Sequence, residues 1–212
     1  MTQRILAEQI ATIATSDTPV PTDVRAMLHR VTLDAFGLML AARQTDYIEA
    51  LKASCLDQGT ATAFGHGSGF TVQDATLING TAVHGEDFDD TFEGTPVHVS
   101  SVIVPTMLAI AERENISRDR LINAMAQGSE LICRLALVAP TAIHRQGFHP
   151  TAILGAFGAS LTASIAYQLT PKQTASALGI VGSMASGIIE YLAEGTWTKR
   201  MHPGWAAAAG IK

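Results

Sequence analysis

From Pro150 to Thr170 the chain carries no charged side chain. A stretch of that length is either a membrane span or a helix buried on all sides of a deep core. Its content favours the core: Thr, Ser, Ala and Gly dominate, and neither aromatic belts nor clusters of positive charge flank it. No membrane association is expected. Gly155, Ala156, Gly158, Ala159 and Ala163 allow neighbouring backbones to come close. A phosphate-cradling glycine loop does not fit, because these glycines lie inside a helical run with no strand before it.

The remaining composition agrees with a fold built around such a helix. The 212 residues are 47% hydrophobic and 16% charged, enough to bury a substantial core and far from a disordered composition. The net charge of -5 comes with no basic block, so neither nucleic acid nor an anionic membrane surface is an expected partner. Cys55 and Cys133 belong to no CxxC or Cys/His pattern; they read as small core hydrophobes in a reducing compartment. The first residues show no apolar leader, and a cytoplasmic location is expected.

Helical periodicity recurs along the chain. Gln3 to Ala14 is amphipathic. Thr22-Asp23 is expected to cap a helix through about Ala42, with Val24, Leu28, Val31, Ala35, Leu38 and Met39 as its core stripe. Asp46 to Leu56 is shorter. Thr71, Ser117 and Thr170-Pro171 are start signals for later helices. Only Ala61 to Gly69 resembles a strand with a glycine turn. The expected fold is all-α, a multi-helix bundle around one core.

Four polar islands interrupt this pattern. The first is His84-Gly85-Glu86-Asp87-Phe88-Asp89-Asp90-Thr91. Acids at a helix C-terminus repel one another and oppose the dipole, a choice expected where function overrides stability. If the helix continues, His84, Asp87 and Thr91 share a face at spacings of three and four; capping and a solvated acidic end are the alternative. The second island is His98, at the end of a loop before a helix led by Ser100 and Ser101, where free N–H groups favour anions. The third is His149, placed just before the uncharged helix. Partial desolvation there lowers an imidazole's pKa and suits acid or base work. The fourth is Lys199-Arg200 beside Trp197 and His202, a potential carboxylate clamp or a plain basic turn. No H-E-x-x-H or close His/Cys spacing occurs, so no metal is expected.

These strings stand in one order: Asn79-Gly80 with His84, Asp87-Phe88-Asp89-Asp90-Thr91, His98, Gly147-Phe148-His149-Pro150-Thr151, and Lys199-Arg200-Met201-His202-Pro203-Gly204 followed by Ala206-Ala207. Together they resemble the MmgE/PrpD family, which includes 2-methylcitrate dehydratases, cis-aconitate decarboxylases and iminodisuccinate epimerases. The resemblance spans nearly the whole chain. It implies that residues 1–212 form most of a helical domain, with the family's smaller α+β domain absent from this chain. It also implies cofactor-free catalysis on small di- or tricarboxylates, by a homodimer. The family's active-site residues fall on Asp87, Thr91, His98, His149 and Lys199, and His84 and Arg200 join them as substrate-binding candidates. Val99 stands where the family pattern has proline, and Phe92 where it has a second histidine.

The expected activity is that of a lyase, a dehydratase or decarboxylase, acting by proton transfer. His149 would be the acid or base, Lys199 the carboxylate anchor, Asp87 and His98 assisting groups, and Thr91 a hydrogen-bonding contact. An epimerase would use the same residues. The chain stops within an Ala-rich helical run, so a fragment, a truncated product or half of a split enzyme is expected. A non-catalytic remnant, or a subunit pairing with a separately encoded second half, is the third reading.

Overall fold

The computed structural model describes residues 5–16 and 18–212. In chain order these form α1 (Leu6–Ala14), α2 (Thr22–Ala42), α3 (Asp46–Ser54), β1 (Ala61–Ala63), β2 (Gly67–Phe70), α4 (Val72–His84), α5 (Ser100–Arg113), α6 (Arg118–Val138), α7 (Ala142–Arg145), α8 (Pro150–Ala166), α9 (Pro171–Gly182), α10 (Tyr191–Glu194) and α11 (Thr198–Ile211). The fold is a helical bundle with one small antiparallel hairpin, β1–β2. Gln3 and Arg4, at the start of the expected first helix, lie outside the described residues.

Local chemistry explains most helix starts. The Thr71 hydroxyl accepts from the Asp74 amide, and Ser117 from Arg120. Thr170 and Gln173 form a complete capping box, with Pro171 at the first helical position. The α2 start differs from expectation. Thr22 is already helical, the cap position is Pro21 with extended backbone, and no side chain caps it. The α2 stripe is also narrower than its periodicity suggests: Leu28, Ala35 and Met39 are buried while Val24 is exposed.

Helix α8 occupies the centre. It packs on α6 and α11 most extensively, and on α5 and α9. All of its residues except Ile153 and Phe157 are buried. Its small residues set the spacing: a side chain at Gly158 would collide with Ile132 of α6, and one at Gly155 with Val102 of α5. The same device joins α4 to α11, where Gly80 lies against the Gly204 backbone and Gly204 against the Leu77 carbonyl. At 17 residues α8 is short for a bilayer span. Helix α6 is long and apolar enough by composition to cross one, and it buries Ile122, Met125, Leu131 and Ile132 in the protein interior. Cys55 and Cys133 are half-buried free thiols.

Asn79 latches the hairpin to α4, accepting from the Phe64 amide and donating to the Thr62 carbonyl. The acidic island departs from the helical expectation. Helix α4 ends at His84, and Asp87 adopts a left-handed φ of 56°. Gly85 packs so closely on the Tyr47 ring that any side chain would overlap it. The acids therefore leave the helix and form the loop of residues 85–99, which removes their conflict with the helix dipole.

Candidate active site

The loop turns the acids in different directions. Asp90 points to α5, where its Oδ1 accepts from the Ser100 amide at 2.9 Å. This carboxylate occupies the helix N-terminus that the sequence suggested for an external anion. Asp89 points inward and receives two imidazoles. His84 Nδ1 lies 2.9 Å from its Oδ2, and His98 Nδ1 lies 3.2 Å from its Oδ1. Asp87 points outward, pairing with the Lys199 ammonium of α11. The His98 backbone is held in turn by the Thr151 hydroxyl of α8, at 3.1 Å.

Four histidines meet behind this loop. His84 lies edge-on to His98, with ring centroids 4.6 Å apart, and stacks on His149 at 5.6 Å. His149 Nδ1 lies 3.2 Å from His202 Nδ1, and the Tyr191 ring packs edge-on against both. His84, His149, Asp89 and His202 are 1%, 3%, 5% and 6% exposed, so these groups interact largely out of water.

That environment sets their charges. Burial raises the carboxyl pKa of Asp89, but hydrogen bonds from His84 and His98 outweigh it and hold the group ionised, well below the usual carboxylate range. Burial opposes a proton on His98 too, yet the Asp89 carboxylate prevails and raises its pKa. His84 goes the other way, its burial outweighing the same carboxylate. Desolvation and the neighbouring His84 push His149 down to about 2 and His202 to about 4. The site thus pairs an ionised Asp89 and a readily protonated His98 with neutral His84, His149 and His202. Among the described residues His84 Nε2, buried, has no hydrogen-bond partner and lies 3.9 Å from Asp87 Oδ1.

In front lies a cleft of about 780 Å³ whose lining includes Asp87, His98, His149, Tyr191, Lys199 and Arg200. That volume suits a small ligand. Five of the seven residues singled out from sequence are therefore cleft-lining. His84 sits behind the cleft rather than in its wall. Thr91 lines a separate cavity of about 400 Å³ against α2, α5 and α6, and meets the site only through a 3.5 Å contact with His98 Nδ1. Arg200 lines the cleft with its guanidinium over the Tyr47 ring, 4.6 Å from the centroid. Phe92 packs against the hydrophobic core, away from the cleft.

The shared helical face expected for His84, Asp87 and Thr91 does not exist, since the helix ends at the first of them. The sequence does not single out Asp89, Tyr191 and His202 as site residues. Asp89 was legible only as one acid in a run. His202 carried a signal, standing three residues after Lys199 on α11, so one helix turn serves both the cleft and His149. Among the described residues, His84, Asp89 and His98 form a group whose possible ligand atoms all lie within 4.8 Å of one another. The same spacing is that of two N–H groups donating to one carboxylate, from the Nδ1 atoms of His84 and His98 to Asp89.

Fold and site together define an all-α domain presenting a histidine-rich, acid/base-equipped cleft. A profile of the MmgE/PrpD N-terminal domain matches residues 4–212, and the chain belongs to that family. It is 26% identical to a cis-aconitate decarboxylase-like protein of Aspergillus oryzae over 91% of this chain and 42% of that protein. It is 34% identical to human cis-aconitate decarboxylase over 65% of this chain and 29% of the human one. The cis-aconitate decarboxylase of Aspergillus terreus is 24% identical over 94% of this chain and 42% of its own length. The chain thus spans less than half the length of these relatives.

Proposed function

We propose that this chain supplies the acid/base half of a lyase acting on a small di- or tricarboxylate, with decarboxylation of a cis-aconitate-type substrate as the leading reaction and dehydration of a 2-methylcitrate-type substrate as its nearest variant. The observation that carries this reading is the convergence of Asp87, His98, His149 and Lys199 on one cleft. Lys199 anchors a substrate carboxylate, leaving its pairing with Asp87. Protonated His98 stabilises the enolate-like charge that develops when a bond beside that carboxylate breaks. His149, held neutral by burial, enters dehydration as a base. In decarboxylation the C–C bond to the departing carboxylate breaks and carbon dioxide leaves. The electron pair on carbon then takes a proton from His149, whose ring picks one up from solvent once the polyanion lies against it. In dehydration His149 takes the carbon-bound proton, and the leaving hydroxyl departs as water with the His98 proton. Thr91 acts through His98, and Arg200 borders the bound anion.

The cleft wall also carries Asp46 and Glu86, which oppose Lys199 and Arg200. A tricarboxylate therefore requires further cations from outside these residues. That favours a partner, either a second copy or a separately encoded second half, and keeps a subunit role in a split enzyme as the second reading. Exposed Phe148, Ile188 and Leu192 give such a partner apolar surface to cover.

The test incubates purified full chain, alone and with any co-purifying partner, with cis-aconitate, 2-methylcitrate and iminodisuccinate, reading products by NMR. Loss of carbon dioxide or water supports a lyase, whereas stereochemical inversion alone points to an epimerase. His149→Gln is expected to lower turnover at least ~100-fold. Near-normal turnover by that variant removes His149 from the chemistry.

A further inference from the structure

We infer that His202 is a positioning residue for His149: its Nδ1 accepts the His149 Nδ1 proton and so leaves His149 Nε2 bare, the form that can take a proton from a molecule in the cleft. The inference rests on the reading of His149 as a base.

An Nδ1-to-Nδ1 contact of 3.2 Å needs one ring to bring the hydrogen and the other the lone pair. Among the described residues neither nitrogen has another hydrogen-bond partner, so each ring dictates the other's tautomer. The charges around His149 choose the direction. Of the groups acting on it, His84 and His202 are themselves held neutral by burial, which leaves Lys199 and His98 as the cations, and both border the cleft that His149 lines. A neutral imidazole turns its lone-pair nitrogen toward positive charge and its N–H away. That leaves Nε2 bare and sends the Nδ1 hydrogen to His202.

The surroundings fix both rings in this relation. The His149 amide donates to the Gly187 carbonyl at 2.9 Å. Gly187 itself packs against both Ala152 and the His202 ring, with a left-handed φ of 134°. Tyr191 lies across both imidazoles. His202 does not line the cleft, so it reaches a substrate only through His149. A proton taken up at Nε2 makes His149 an imidazolium whose Nδ1–H still donates to neutral His202, and the acceptor strengthens as charge develops.

Two measurements test this in the full chain. The first is ¹⁵N NMR of the histidine rings near neutral pH, which needs no turnover. The expected result is His149 protonated at Nδ1 and bare at Nε2, His202 protonated at Nε2, and a coupling across the Nδ1–Nδ1 bond. The opposite tautomers overturn the inference even if the proposed reaction is correct. The second is kinetic, on whichever substrate the chain or its assembly turns over. His202→Phe fills the ring's place without an acceptor and is expected to lower kcat about 10–100-fold with KM little changed. His202→Asn puts an acceptor oxygen near the Nδ1 position and is expected to restore most of the loss. Equal loss in both variants, a loss confined to KM, or full activity of His202→Phe overturns it. Silence of the wild type toward every carboxylate defeats the proposed function instead, and the NMR result then decides the inference alone.

Discussion

Acidification removes stability from this protein through its buried histidines, and the size of the loss follows from two of them. His149 is held down to about 2 and His202 to about 4, against 6.5 for an unburied imidazole. As pH falls below 6.5 the unfolded chain binds a proton at each ring, while the folded protein excludes both. Stability therefore falls with falling pH, at a limiting slope of about 1.4 kcal/mol per pH unit per ring. Between about pH 7 and about pH 5 this amounts to about 2 kcal/mol for each ring, or about 4 kcal/mol for the pair. His84, also lowered, adds to the loss. His98 opposes it: its raised pKa contributes stability that is complete below the unfolded value and lost as pH rises through the folded one. The Asp89 contribution lies outside this window: its lowered pKa gives stability that is full above the unfolded carboxylate value of 3.8 and is lost as pH falls below it. A domain holds about 5–15 kcal/mol in total, so the expected drop is a large fraction of it. Urea unfolding of the full chain at about pH 7, 6 and 5 measures it directly. The His149→Gln, His202→Asn double variant should show a much shallower dependence. Wild-type stability that stays level or rises on acidification would refute the assignment of these rings as buried and neutral.

Three further outcomes are expected. Gly204→Ala drives a methyl group into the Leu77 carbonyl and should destabilise the α4–α11 contact by about 1–3 kcal/mol in urea. Asp89→Ala strips two imidazoles of their acceptor and should destabilise the fold by about 3–5 kcal/mol; the His98 pKa should fall in the same variant, followed by NMR titration. Thr71→Ala removes the α4 cap bond and should cost about 1 kcal/mol in thermal or urea unfolding.

The helices were legible because their signals are local. Thr71, Ser117 and Thr170-Pro171 marked starts that the structure uses as caps, and the uncharged Pro150–Thr170 run became the buried central helix. The acidic island misled for the same reason. Its spacing suited a helix face, but the chain turns at Gly85, where the Tyr47 ring 38 residues earlier leaves no room for a side chain. No local pattern encodes that contact. Asp87, His98, His149, Lys199 and Arg200 were recognisable as an ordered set of strings, whereas Asp89 and His202 differ from neighbouring polar residues only in what they face.

Periodicity, capping residues and composition were sufficient to determine a helical bundle with an uncharged central helix, since each depends on neighbours within a turn or two. Tertiary structure alone decided which acid is buried, which histidine bonds to which, and hence where protons reside. Those properties arise from desolvation and from contacts between residues 53 apart, such as His149 and His202, and both come into existence only when α8 and α11 pack together.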